Sequence, residues 1–307
     1  MNPAFSVVVF TTIAGAAQGL VVTLALALLA GVALSAGFVS GALIVAELML
    51  LIGLGASFGH LGRPERAWRA VLMWRTSWLS REVIVLPAFI GVVALWWWAH
   101  RAGSAAPWLP LAVIVLAALL WCCTAMIYAC LRFIQEWAQP LTLVNFTLIG
   151  LSSGLLLACA GAALAGEAAL LRVAGPWALG VTLLAWATRS LALRHNATLR
   201  HRSTLQSATG IQAPNLVQKS MGMSAGAFNT REFFHGRTLP LLKQVKRSFI
   251  VLCFGLPALL ALWGVASGSM LPWVLAVLVQ APGLLVERWF FFAQARHPQN
   301  LYYQVVS

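Results

Sequence analysis

His60 and Glu82 stand at the two ends of one basic stretch, SFGHLGRPERAWRAVLMWRTSWLSREV, from Ser57 to Val83. An imidazole titrates near neutrality and a carboxyl can hold or release a proton. Such a pair can exchange protons with a molecule dissolved in lipid while staying in reach of water. That is the chemistry a quinone site requires. Each residue also has a plain structural use. Glu82 can stabilise a helix N-terminus or pair with Arg81, and His60 can hydrogen-bond at a membrane surface. Their placement at both ends of one loop favours the chemical use.

The elements that hold this pair are set by hydropathy. Of 307 residues 61% are hydrophobic and only 9% charged, with a mean hydropathy of +0.87. Soluble domains carry about 25% charged residues, so composition alone places the chain in a membrane. A helix crosses the hydrocarbon core with roughly 20 apolar residues. Eight such spans are predicted, near 7–30, 35–57, 83–100, 108–131, 141–165, 174–193, 248–267 and 271–292. The fold class is therefore an all-α integral membrane protein, a single transmembrane domain of eight helices with a long loop between the sixth and seventh. The first span is too long for a signal peptide and lacks a basic leader.

Charge orients the bundle. There is no aspartate, and 20 Lys+Arg against seven acids give a net charge of +13. With eight crossings, both termini and the even-numbered loops share one side. That side takes 18 of the 20 cations, leaving only Arg101 and Arg172 opposite. The positive-inside rule predicts that the termini, the His60–Glu82 loop and the loop from about Arg194 to Arg247 are cytoplasmic.

Within the second loop, Gly59, Gly62 and Pro64 end the second helix near His60. Pro64–Trp74 reads as a short amphipathic segment, with Arg66 and Arg69 on one side and Trp68, Leu72 and Met73 available to enter the headgroup layer. Ser80-Arg81-Glu82 is expected to open the third helix, the serine as cap and the acid in the first turn.

GHLGRPERAW followed by SWLSRE resembles the membrane-anchor subunits of the dimethyl sulfoxide reductase family (the DmsC type), over essentially the whole chain. MGMSAGAFNTREFFHG, from Met221 to Gly236, is similar to the branch whose best-known member is the membrane subunit of a quinone-linked sulfite dehydrogenase (the SoeC type). The resemblance implies a complex of three. One partner bears a molybdenum bis-pterin cofactor, a second carries iron–sulfur clusters, and this chain anchors both and passes electrons to quinone. The family's functional histidine and glutamate fall on His60 and Glu82. Reductase members place the equivalent loop on the periplasmic side, so the predicted cytoplasmic loop favours the sulfite branch over a quinol-oxidising reductase anchor.

Other residues carry weaker expectations. Arg81 is placed to orient Glu82 or polarise a quinone oxygen, and Trp78 to line the headgroup. Trp74 has the same option, although most of the fourteen tryptophans fit an interfacial belt. Glu47, near the centre of the second span, is expected inside the bundle, neutral or paired, as a proton path or an interhelical bond. Glu287-Arg288 reads as a local pair or a docking contact. Arg63, Arg66 and Arg69, with Arg231, Phe233 and Phe234, are expected to dock a partner, or else to meet anionic lipid. The cysteines (Cys122, Cys123, Cys130, Cys159 and Cys253) lie within spans without cluster spacing, and no histidine pair faces another at mid-membrane. No metal, haem or iron–sulfur cluster is expected on this chain. A transporter would need an internal repeat and broken helices lining a midplane site; no convincing repeat is evident, and Glu47 is the only acid near the midplane. A purely structural anchor is the other alternative.

Overall fold

The computed structural model describes residues 1–59, 61–104, 106–200, 202–220 and 233–302. His60 and Arg231 lie outside these residues. Among them, eight helices are long and apolar enough to cross a membrane. They are α1 (Phe5–Leu29), α2 (Ala36–Phe58), α3 (Trp78–Arg101), α4 (Trp108–Ala129), α5 (Pro140–Ala165), α6 (Ala168–Thr198), α8 (Leu239–Ser267) and α9 (Leu271–Ala293). A short α7 (Leu205–Thr209) lies in the long connection, and a 3₁₀ segment, Pro64–Met73, joins α2 to α3.

Three spans differ at their ends from the hydropathy reading, each for a local reason. The third begins at Trp78 rather than near 83, because Ser77 is the cap, its hydroxyl accepting from the Ser80 amide at 3.4 Å. The sixth, read as 174–193, is a continuous 31-residue helix that carries Pro176 inside it. The seventh starts at Leu239, its first turns carrying Lys243, Lys246 and Arg247 beyond the apolar segment that hydropathy detects. A π turn, Ile250–Gly255, then widens that helix.

α1 sits at the centre, packed against α2, α4, α5 and α9. Its contact with α5 depends on four glycines. Gly15 and Gly19 on α1 face Gly150 and Gly154 on α5, and a Cβ added at Gly19 or Gly154 would collide with the other helix's backbone. Lipid offers no hydrophobic drive for helix association, so such small-residue contacts, which let backbones approach, supply the packing energy. Turns on the face opposite the termini are tight. Gly31, Gly103, Gly166 and Gly268 close them at φ of 75°, 69°, 75° and 64°, a region that residues with a Cβ seldom enter. Two of these turns are tied together where the Ser35 amide donates to Glu167 Oε1 at 3.0 Å.

Candidate functional site

Because α3 starts at Trp78, Glu82 is its fifth residue and not an N-terminal acid. One turn deeper, the side chain points into the bundle and is only 5% exposed. The placement at the membrane surface expected from sequence is thus replaced by burial just beneath it. The Thr124 hydroxyl of α4 donates to Glu82 Oε1. Arg81 does not pair with it. Its guanidinium instead donates to the carbonyls of Trp74 (3.0 Å) and Arg75 (2.9 Å) and lies 4.1 Å over the Trp78 ring. This contact ties the start of α3 to the end of the 3₁₀ segment and fixes the orientation of Trp78. Along that segment Trp68, Leu72 and Met73 project away from the protein, as an interfacial segment requires. Arg66 pairs loosely with Glu65 at 3.9 Å, Arg69 lies 5.6 Å over Trp68, and Arg63 is exposed.

Behind Glu82 lies a set of buried polar groups that the sequence reading did not assemble. Arg189 of α6 meets Glu287 of α9 at 2.7 Å, and Arg288 stands 3.9 Å from the same carboxylate. Glu287 is therefore held mainly across helices rather than by its neighbour, and it is buried, not a docking contact. Arg189, one of the 18 cations assigned to the side of the termini, is buried with it. Aromatic faces receive the surplus positive charge: Arg288 lies 3.9 Å over Phe146, and Arg189 lies 5.6 Å over Phe249. A second network lies deeper. Gln280 donates to Ser152 and to the Cys253 carbonyl, both at 3.2 Å, and Ser152 meets Thr182 at 2.7 Å. Cys253 belongs to the π turn, which is how that widened turn finds a partner for one of its carbonyls.

A small cavity separates α1, α4, α5 and α9, about 20 Å³ counted at water centres. Thr11, Gln18, Trp121, Thr124, Ser153 and Arg288 are among its walls. It has room for a water molecule and none for an aromatic ring. Glu47 lies on α2, half-buried, and its Oε2 has no hydrogen-bond partner among the described residues.

On the face that carries the termini, a wider cavity of about 1240 Å³ is lined by Arg132, Arg202, Arg237, Lys243, Lys246 and Arg296, among others. Phe233 and Phe234 border it but do not project as free anchors. Phe233 stacks on His297 with ring centroids 3.9 Å apart, and Phe234 is buried. Burial holds the His297 and His235 imidazoles below their usual range, with neighbouring positive charge adding to the effect. Among the described residues, no group of three or more His, Cys, Asp or Glu could hold a metal ion.

Among the described residues, eight helices long and apolar enough to cross a membrane define the class, a multi-pass membrane protein. The chain belongs to the DMSO reductase anchor subunit (DmsC) family, whose model matches residues 1–292. It is also 48% identical, over 327 aligned positions covering the whole of both chains, to the C-subunit of sulfite dehydrogenase from Allochromatium vinosum. It is therefore a membrane-anchor subunit.

Thr124, Gln18, Gln280 and Arg189 were not singled out by sequence reasoning. Their signal was present, since a polar residue inside an apolar span is costly unless it faces the bundle.

Proposed function

We propose that this chain is the quinone-reactive anchor of a three-subunit molybdoenzyme that oxidises sulfite in the cytoplasm of a bacterium. Sulfite and water yield sulfate, two protons and two electrons on a molybdenum-bearing catalytic partner. An iron–sulfur partner, docked on the basic face, carries the electrons. Quinone at this subunit takes up the two electrons and two protons in the inner membrane and leaves as quinol.

One observation supports the quinone reading above the rest. Glu82 is a carboxyl buried in a bundle, one turn below a basic interfacial loop, oriented by Thr124. A buried acid in a membrane is expensive, and a proton donor at the depth of a quinone headgroup is a use that repays the cost. The adjoining cavity is too small for a ring, so quinone approaches from the side of the loop and the lipid. Glu82 hydrogen-bonds one quinone oxygen and delivers a proton to it. Trp78, held by Arg81, offers its ring beside the headgroup. His60, by the family resemblance, serves the other oxygen. Arg63, Arg66 and Arg69, with Arg231 of the long connection, face the iron–sulfur partner as its electrostatic contact. The sulfite assignment rests on the full-length similarity to the sulfite dehydrogenase C-subunit.

The test uses the intact purified complex with sulfite as donor. Quinone-analogue reduction is measured beside reduction of an artificial acceptor that bypasses this subunit. Glu82→Gln keeps the shape but not the proton, so quinone reduction falls about 100-fold while the bypass rate stays. Equal rates for wild type and variant would remove Glu82 from the site. Absence of sulfite turnover with either acceptor would overturn the substrate and bring sulfoxide reduction forward.

A further inference from the structure

The cavity among α1, α4, α5 and α9 is small, and its mostly apolar walls carry buried polar groups that are not all satisfied. Gln18 Oε1 and Trp121 Nε1 belong to residues that line it, and neither has a hydrogen-bond partner among the described residues; Arg288, also on its wall, is ion-paired through Nε with Glu287 at 3.9 Å. All three residues are more than nine-tenths buried. Gly150 leaves the indole nitrogen open, since a Cβ there would sit 2.7 Å from Trp121 Nε1. An orphaned buried polar group costs about 1–3 kcal/mol, so two facing one void call for an occupant. That void is about 20 Å³, enough for a water. The lining offers an acceptor (the Gln18 carbonyl oxygen) as well as donors (indole and guanidinium). Water answers both kinds, whereas a halide would leave the acceptor unmet.

We propose that this cavity is an internal water site that reloads Glu82 with protons through Thr124. This rests on the quinone reading above. Thr124 spends its one hydroxyl proton on Glu82 Oε1, so its lone pairs remain free to accept from the cavity. After Glu82 gives its proton to quinone, a proton arriving on the cavity water passes to Thr124 Oγ1 as Thr124 hands its own to the carboxylate. One O–H bond breaks and one forms at each step, and the water is left neutral. The charge facing this route is Arg288 from α9, with Glu287 beside it and Arg189 beyond, while Arg81 on Glu82's own helix is turned to the carbonyls of Trp74 and Arg75. Tyr128 and Cys123 of α4 also lie within electrostatic reach of Glu82. The Arg288 cation keeps the proton from resting on the water and favours its transfer to the carboxylate.

The experiment is high-resolution cryo-electron microscopy of the intact complex in lipid nanodiscs, paired with kinetics. A density peak within hydrogen-bonding distance of Trp121 Nε1 and Gln18 Oε1 is expected in the wild type. Gln18→Leu with Trp121→Phe should lose it and lower kcat for quinone reduction about 10-fold. KM for quinone and the rate with the bypass acceptor should not change. An empty cavity, at a resolution that reveals other buried waters, overturns the proposal, and so does a site that takes up bromide. Unchanged kcat in the double variant overturns the reloading role. If Glu82→Gln leaves quinone reduction intact, the quinone reading itself fails. The wild-type density decides the water site independently of that result.

Discussion

At the scale of single residues, the interior of this bundle is organised by charges that cannot reach water. Arg189 and Glu287 are joined at 2.7 Å within spanning helices, and neither has solvent to fall back on. Removing one partner of such a pair costs about 3–5 kcal/mol, because the other is stranded. Arg189→Leu should therefore lower the unfolding midpoint of the purified complex and its yield in membranes. Glu287→Leu should do more damage, since it strands two guanidiniums. A fluorescence-detected thermal unfolding assay checks the order, and equal stability of both variants with wild type would show the pair to be dispensable. His60 and Glu82 were legible as a candidate site because their residue types and the loop between them are sequence properties. Thr124 was not, because a hydroxyl in an apolar helix carries no label for the residue it will face.

At the scale of helices, α1 and α5 form the centre of the bundle through glycine contacts that admit no side chain. Gly19→Ala or Gly154→Ala forces the two backbones apart. Overpacking of this kind costs about 1–3 kcal/mol, and the displacement also widens the cavity that α1 and α5 both line. Gly41→Ala on α2, where an added Cβ meets nothing within 4 Å, is the matched control and should match wild type. Thermal unfolding of the three variants side by side decides it. If Gly19→Ala is as stable as Gly41→Ala, the close crossing is not what holds α1 in place. Spacing alone exposes Gly15-x-x-x-Gly19 and Gly150-x-x-x-Gly154 in the sequence. That the two motifs face each other depends on how the helices rotate about their axes.

At the scale of the whole molecule, the eight long apolar helices among the described residues bring the chain back to the face on which it began, with the Met1 amine donating to the carbonyls of Ala293 and Ala295. The basic loops, the wide cavity and the Glu82 end of α3 share the face of the termini. Its sidedness decides between the two best functional readings, because a partner oxidising cytoplasmic sulfite must dock inside the cell. A green fluorescent protein fused after Ser307 should fluoresce, and alkaline phosphatase fused at Gly103 should be active. The reverse pattern would place the docking face outside and favour a reductase of the dimethyl sulfoxide type.

The sequence by itself determined the number of apolar spans, the all-helical class and the family. Each of these follows from quantities summed along the chain, such as apolar run length, or from residues adjacent in it. Its charge asymmetry also predicted the sidedness that the fusions would measure. Helix ends shifted where a neighbouring hydroxyl outweighed hydropathy, as Ser77 did for α3. Only the tertiary structure decided what the buried polar groups meet. Glu82 and Thr124 are 42 residues apart, on different helices. The nearer partner of Glu287 is on α6, with its neighbour Arg288 farther off, and the void is enclosed only where α1, α4, α5 and α9 meet. Such contacts depend on the rotation and spacing of helices, which no single helix's sequence encodes.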